Sequence, residues 1–112
     1  MSEEPTAYIV VLCTAPDQQA ARLIGERLVE RRLAACVNIV PGLASVYRWE
    51  GAVHEDAEVL LLIKTRRALF DQLAAEIAGA HPYSVPEIIA LPMVNGSAPY
   101  LDWLAAATNT IP

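Results

Sequence analysis

The sequence predicts a single α+β domain whose elements run in the order β-α-β-β-α-β and end in an additional helix. Short apolar runs rich in β-branched residues, typical of strands, alternate with segments in which apolar residues recur every three to four positions, as on a helix. Two of the four strand-like runs contain a proline, which confines a strand to a sheet edge or a bulge. The chain has 112 residues, a usual length for one domain.

A change of period separates the first strand from the first helix. Residues 8–12 form a continuous apolar run, which favours a central strand buried on both faces. Residues 18–33 carry an amphipathic stripe, made by Ala21, Ile24, Gly25, Leu28 and Val29. Thr14 and Asp17 are both available to cap this helix. Gly25 costs roughly 1 kcal/mol relative to alanine in a helix, and a close approach of the helix to the sheet would account for it.

A long hairpin is predicted next. Residues 35–49 are strand-like, but Pro41-Gly42 interrupts them, so they are predicted as a kinked edge strand. Glu50-Gly51 forms the predicted turn, and residues 54–64 return as the second arm.

The remaining elements complete a ferredoxin-like split βαβ arrangement with an antiparallel sheet. A second helix is predicted over residues 66–80, a fourth strand over 88–94 and a closing helix over 99–107. Right-handed crossovers predict the strand order fourth, first, third, second. Because the fourth strand contains Pro92, both proline-containing strands then lie at the edges.

Charge argues against nucleic acid as a partner. The formal net charge is −5, whereas binding to DNA or RNA rests largely on Lys and Arg that neutralise phosphates. The one basic cluster, Arg27, Arg31 and Arg32, is interleaved with Glu26 and Glu30. It is therefore predicted to be a solvated, salt-bridged helix face.

Hydropathy predicts that the chain has no membrane-spanning helix and has more apolar surface than its own core would bury. The longest apolar run covers residues 59–63, far short of the about 20 residues that a membrane-spanning helix needs.

Residues 1–6 are acidic, lack the positive start of a secretion signal and are predicted to be a short flexible N-terminus, which favours the cytoplasm. Residues 7–112 are predicted as the single domain. Apolar residues make up 54% of the chain, above the usual share of about 45–50%, so we expect a surface buried against a partner chain.

The predicted topology gathers chemically active side chains at one end of the sheet, where the first strand ends, the fourth begins and the hairpin turns. The residues expected there are Cys13, Thr14, Asp17, Tyr47, Trp49, Glu50, His81, Tyr83 and Glu87. Cys13 and His81 are the closest predicted pair, because the first and fourth strands are neighbours. A thiolate and an imidazole suit copper or zinc, and Glu87 is the candidate third ligand.

Each of these residues also has a plainer interpretation. Cys13 would serve equally as a small buried residue. His81, at the end of a helix, would interact favourably with the helix dipole. Tyr47, Trp49 and Tyr83 either line a pocket or pack against another subunit.

Several blocks of the sequence together resemble the CutA divalent-cation tolerance family. They are VVLCTAPD at 10–17, LAACVNI at 33–39 with PG at 41–42, SVYRWEG at 45–51, EVLLLIKT at 58–65, HPY at 81–83 and VPEIIALP at 85–92. The resemblance implies a ferredoxin-like fold, a homotrimer assembled through the edge strands, and a non-enzymatic role in divalent-cation tolerance with copper as the associated metal. It also implies copper ligands at Cys13 and His81. The family's second, adjacent histidine position is Ala80 here, and Ser84 stands where the family usually has Glu.

Two other function classes share this fold. Trimeric PII-like signalling proteins bind small anionic ligands in clefts between subunits, and Arg48, Lys64 and Arg66 would serve such a cleft. No Gly-rich phosphate-binding loop is present, which argues against this class. An acylphosphatase-like hydrolase is a third class, but the sequence contains no recognisable set of nucleophile, base and orienting residue.

Overall fold

The structure is a computed structural model that describes residues 7–109. In chain order the elements are β1 (Tyr8–Ala15), α1 (Gln18–Glu30), β2 (Cys36–Trp49), β3 (Ala52–Arg66), a 3-10 turn (Arg67–Leu69), α2 (Phe70–Ala80), β4 (Ile89–Pro92) and α3 (Ala98–Ala107). The predicted flexible residues 1–6 lie outside the described range, as do residues 110–112. The division of the chain into 1–6 and 7–112 therefore stays a prediction.

The four strands form one antiparallel sheet in the order β2-β3-β1-β4. This confirms the predicted α+β fold and strand order, with the proline-containing strands β2 and β4 at the edges. Both β1 and β3 are longer than predicted, because their pairing continues from Tyr8 opposite Arg66 to Ala15 opposite Val59. Among the described helices the longest has 13 residues, and none is long and apolar enough to span a membrane.

The hydrophobic core lies between the sheet and the helices α1 and α2. Opposite residues of an antiparallel pair share a face of the sheet, so Val11 and Ile63 point to one side while Leu12 and Leu62 point to the other. We call the first side the helix face. Its core residues, with those of α1 and α2, include Ile9, Val11, Cys13, Ala15, Ala21, Ile24, Leu28, Val59, Leu61, Ile63, Leu73 and Ile77.

The opposite side of the sheet, which we call the open face, is only partly covered. On the central strands it carries the apolar residues Val10, Leu12, Leu60 and Leu62. The helix α3 packs over one end of it, where Arg66 donates hydrogen bonds to Thr108 Oγ1 at 2.9 Å and to the Thr108 carbonyl at 2.8 Å. On the edge strands Val40, Ile89 and Leu91 are exposed by 38%, 50% and 50%.

The first helix is held at both ends by local hydrogen bonds. The Asp17 side chain accepts a bond from the Ala20 backbone N–H at 2.8 Å, so Asp17 is the N-cap. The helix ends at Glu30, three residues earlier than predicted, because Arg32 adopts a left-handed φ of 60°. The Leu33 N–H then bonds back to the Leu28 carbonyl at 2.9 Å, which is the pattern of a Schellman cap.

The basic residues of α1 pair differently from the prediction. Arg31 Nη1 lies 2.7 Å and Arg27 Nη1 lies 3.4 Å from the carboxylate of Glu76 on α2, whereas Glu26 and Glu30 were the expected partners. The sequence pattern revealed only partners within one helix, and Glu76 lies on the neighbouring helix. Both arginine side chains are exposed, so these ion pairs contribute little to stability.

The hairpin of β2 and β3 extends beyond the helices as an exposed arm. Its register shifts between Val40 and Leu43, at the predicted kink, where Gly42 has a φ of 88°. At the tip Glu50 and Gly51 have φ values of 50° and 80°, as in a two-residue type I′ turn. This turn sets the register, in which Trp49 faces Ala52.

Gly25 allows α1 to lie close to the sheet. A Cβ atom at this position would sit 3.3 Å from Val37 Cγ1 on β2. This contact confirms the predicted close approach of helix to sheet.

We predict that Gly25→Leu lowers the free energy of unfolding by roughly 1–3 kcal/mol, because the added side chain overpacks the interface with Val37. Urea denaturation would measure the change. The matched control is Gly79→Leu in α2, where a Cβ meets nothing within 4 Å. This control should be at least as stable as the parent chain, because leucine has the better helix propensity. Equal stability of the two variants would contradict the packing argument.

Candidate functional site

A cleft lies at the end of the sheet where the sequence predicts a site. It opens between the hairpin arm and the loop after α2, with a volume of about 710 Å³. Three aromatic and three acidic side chains line it, and we call it the acidic–aromatic cleft. These six residues are Tyr47, Trp49, Tyr83, Asp56, Glu58 and Glu87. No Lys, Arg or His is among the described residues that line the cleft.

Two tyrosine–carboxylate hydrogen bonds organise the cleft. The Tyr83 hydroxyl donates to Glu58 Oε2 at 2.8 Å, and the Tyr47 hydroxyl donates to Asp56. Burial and the bond to Glu58 raise the pKa of Tyr83 well above its ordinary value, and the charges of Asp56 and Tyr47 add to the effect. The pKa of Tyr47 is also raised, first by its bond to Asp56. Both phenols therefore remain protonated donors near neutral pH.

His81 is buried and uses both ring nitrogens. Its Nδ1 accepts a hydrogen bond from the Tyr83 backbone N–H at 3.1 Å, and its Nε2 lies 2.7 Å from the Thr14 carbonyl. Because Nδ1 accepts, the assigned tautomer of the neutral ring carries its proton on Nε2 and donates to Thr14. The imidazole thus ties the loop after α2 to the end of β1, and its ring packs against the Tyr83 ring with centroids 4.7 Å apart.

Cys13 lies in the core, on the helix face of β1. Its side chain is fully buried and its thiol donates only a weak bond to the Thr14 carbonyl, with Sγ 3.7 Å from the oxygen. Burial, and then the charges of Glu87 and Glu58, raise the pKa of the thiol from 9.0 to about 12. Near neutral pH this cysteine is therefore a neutral thiol.

The structure brings most of the predicted site residues to one end of the sheet. Thr14, Tyr47, Trp49, Tyr83 and Glu87 line the cleft, and His81 and Cys13 adjoin it through Thr14. Asp17 and Glu50 have other roles: Asp17 caps α1 and Glu50 occupies the hairpin turn. Within residues 7–109 no three His, Cys, Asp or Glu side chains are grouped closely enough to hold a metal ion.

Sequence reasoning missed Asp56 and Glu58. In the observed register Tyr47 faces His54 and Ser45 faces Asp56, so Tyr47 and Asp56 are diagonal neighbours on one face. The signal was present in the sequence: a two-residue turn at Glu50-Gly51 implies this register.

Of the cations suggested for an anionic-ligand cleft, Lys64 and Arg66 lie two residues apart on β3, but Arg48 lies far from both. Arg66 is bonded to Thr108. Lys64 faces Cys36 across β2 and β3, whereas Arg48 faces Val53 near the hairpin tip. These two positions are eleven residues apart along β3, which corresponds to about 35 Å of strand.

Comparison with known proteins identifies relatives along nearly the whole chain. The family model described as CutA1 divalent ion tolerance protein matches residues 9–107. The chain is 57% identical over 100 residues to the divalent-cation tolerance protein CutA of Thermus thermophilus, covering 89% of this chain and 97% of that protein. It is 48% identical over 108 residues to the chloroplastic protein CutA of Arabidopsis thaliana, covering 96% of this chain and 59% of that longer protein.

Solved structures agree with the sequence matches. The divalent cation tolerance protein from Thermus thermophilus superposes with a TM-score of 0.89 at 55% identity, over 91% of this chain and 99% of the other. CutA1 from Oryza sativa superposes with a TM-score of 0.89 at 48% identity, over 94% of this chain and 96% of the other.

We predict that Cys13 resists alkylation in the native protein, because its thiol is buried and stays protonated until the pH approaches about 12. In a Cys36→Ser variant, iodoacetamide at pH 8 should leave the folded chain unmodified. The same variant unfolded in guanidinium chloride is the control and should be alkylated completely, as mass spectrometry would show. Equal rates of modification in the folded and unfolded states would contradict the burial of Cys13.

Proposed function

The chain belongs to the CutA1 divalent ion tolerance family, and from this premise we propose that it is a trimeric, non-enzymatic protein that binds or responds to copper or a similar divalent cation. One observation carries the proposal: a chain of this family has a cleft in which all the charged residues of the described lining are acidic. Such a cleft attracts cations to the end of the sheet where Cys13 and His81 lie.

The proposed metal ligands are Cys13 and His81, with Glu87 as a third candidate. Their elements converge, because His81 bonds the carbonyl of Thr14, the residue after Cys13. These side chains are not grouped closely enough to hold an ion as they stand, so they would first have to move together, and binding then has two further costs. The Cys13 thiol must lose its proton, and one His81 nitrogen must give up its present hydrogen bond. Metal affinity should therefore be modest and should rise with pH, since the metal competes with the thiol proton.

The homotrimer is proposed from the open face of the sheet. A sheet that covers one apolar face with helices still has to bury the other. Here Leu12 and Leu62 lie on the central strands of that face, and Ile89 and Leu91 stay half exposed on β4. A patch of this kind marks a protein interface. The acidic–aromatic cleft continues from the same face, so assembly over the open face would place it beside a neighbouring subunit.

We propose the cytoplasm as the compartment. Both cysteines are free, as is usual in a reducing environment. The Arabidopsis relative is named chloroplastic, and a structural relative from Archaeoglobus fulgidus is titled periplasmic, so location varies among these relatives. The PII-like alternative is not favoured, because Arg48 lies far along the hairpin from Lys64 and Arg66, and Arg66 is engaged by Thr108.

We predict that Cys13→Ala and His81→Ala each weaken binding of copper, and of redox-inert zinc, by at least about tenfold, because each removes one proposed ligand. Glu87→Gln should have a smaller effect. Calorimetric titration would measure the affinities, with circular dichroism to verify folding. His54→Ala is the control, since this exposed histidine bonds only the Trp49 carbonyl and stacks on Tyr47. Unchanged affinity in both ligand variants would remove the proposed metal site.

We predict a mass of about 36 kDa in sedimentation equilibrium, three times the 12.1 kDa of one chain. Leu62→Asp should shift this mass toward the monomer, because it places a charge in the proposed apolar interface. The matched control is Leu23→Asp on α1, where the leucine is 62% exposed, and it should stay trimeric. A monomer mass for the parent chain at micromolar concentration would contradict the trimer proposal.

A further inference from the structure

The acidic–aromatic cleft is much larger than a metal ion requires. Its volume of about 710 Å³ falls within the range of pockets that hold small organic ligands, about 300–1,000 Å³. A single divalent ion fills only a small part of such a space. The cleft therefore has room for a small organic ligand.

The walls of the cleft present aromatic rings that the described residues leave partly exposed, although a histidine ring packs against one side of Tyr47 and of Tyr83. Tyr47 and Trp49 on the hairpin are 40% and 44% exposed although both line the cleft. Tyr83 approaches from the opposite wall, near enough to Tyr47 and Asp56 for both to raise its pKa. The faces of Trp and Tyr rings attract cations through the electrostatic quadrupole of the ring.

The charge of the cleft selects a cation. Asp56, Glu58 and Glu87 line it, and none of the described lining residues carries a positive charge. The tyrosine hydroxyls that donate to Asp56 and Glu58 leave these carboxylates charged, because a phenol donor brings no positive charge. An occupant that is both organic and positively charged matches the aromatic walls and the carboxylates together.

The arrangement of the carboxylates further narrows the chemical class of the ligand that fits the cleft. Within the described residues no three acidic or metal-binding side chains converge on one point. A bare divalent ion requires several oxygen ligands around it, and a primary ammonium has three N–H donors to satisfy. A methylated ammonium group has few or no N–H donors and needs only aromatic faces and diffuse negative charge.

We propose that the acidic–aromatic cleft is a binding site for a small organic cation with a quaternary or highly methylated ammonium group. The ammonium group lies among the rings of Tyr47, Trp49 and Tyr83. Asp56 and Glu58 supply the neutralising charge, each held in place by a tyrosine hydroxyl. This site is an addition to the proposed divalent-metal function and does not depend on Cys13 or His81.

The test is calorimetric titration of the full chain with choline in a buffer that contains a metal chelator. Choline should bind saturably. Its neutral isostere, 3,3-dimethylbutan-1-ol, has the same shape without the charge and should bind at least about tenfold more weakly. Equal binding of the two compounds, or no saturable binding of choline up to the millimolar range, would overturn the proposal.

Matched variants locate the binding. Trp49→Leu and Glu58→Gln should each weaken choline binding several-fold or more, and the glutamine can still accept the Tyr83 hydroxyl bond. Trp103→Leu is the control, because Trp103 on α3 is exposed to a similar degree, 47%, outside the cleft. Circular dichroism would verify folding of each variant. Unchanged choline affinity in both cleft variants would also overturn the proposed site.

The metal and choline titrations test the two proposed sites independently of each other. Trp49→Leu should leave copper affinity unchanged, because an indole ring is not one of the proposed ligands. Loss of copper binding in Cys13→Ala with no choline binding in the parent chain would refute the organic-cation site alone. Saturable choline binding with no copper response would refute the metal site alone.

Discussion

The double pairing of β3 is the constraint on which the rest of the structure depends. This strand pairs with β1 over residues 59–66 and with β2 over most of its length. The alternation that sends Leu61 into the core sends Leu62 to the open face, and further along the same strand it places Asp56 and Glu58 beside the tyrosines. A slip of one residue would turn Leu61 out of the core and move Asp56 and Glu58 to the other face of the sheet, so the core and the cleft depend on the same register.

The chemistry of the cleft follows from two hydrogen bonds between a neutral donor and a charged acceptor. Each phenol gains a carboxylate partner. Burial and then the bond to Glu58 raise the pKa of Tyr83, the bond to Asp56 is the main cause of the raised pKa of Tyr47, and in both cases the ionised phenol would lie beside a carboxylate. The carboxylates are positioned but not neutralised. Aromatic surface and uncompensated negative charge therefore coexist in one cleft, a combination that repels anions and attracts cations of more than one kind.

Cys13 and His81 contribute to the fold by their own contacts. Cys13 fills the core as a protonated thiol, and His81 bridges the loop after α2 to the end of β1. A metal would have to displace these arrangements. Ala80, at the position of the family's second histidine, offers no additional ligand to repay that cost. The chain thus combines clear family membership with a proposed metal site whose energetic cost can be named group by group.

The sequence by itself determined the order of the elements, the two edge strands and the end of the sheet where the site lies. Periodicity, proline chemistry and helix capping are local, so Asp17, Pro41 and Pro92 could be interpreted from their neighbours alone. Only the tertiary structure decided that Glu76 pairs with α1, that Asp56 and Glu58 line the cleft, and that both nitrogens of His81 are already used. The hairpin register that brings Asp56 beside Tyr47 follows from the local turn, but the other contacts join residues up to 67 positions apart, and their geometry depends on how non-adjacent strands pair and helices pack, which no local pattern encodes.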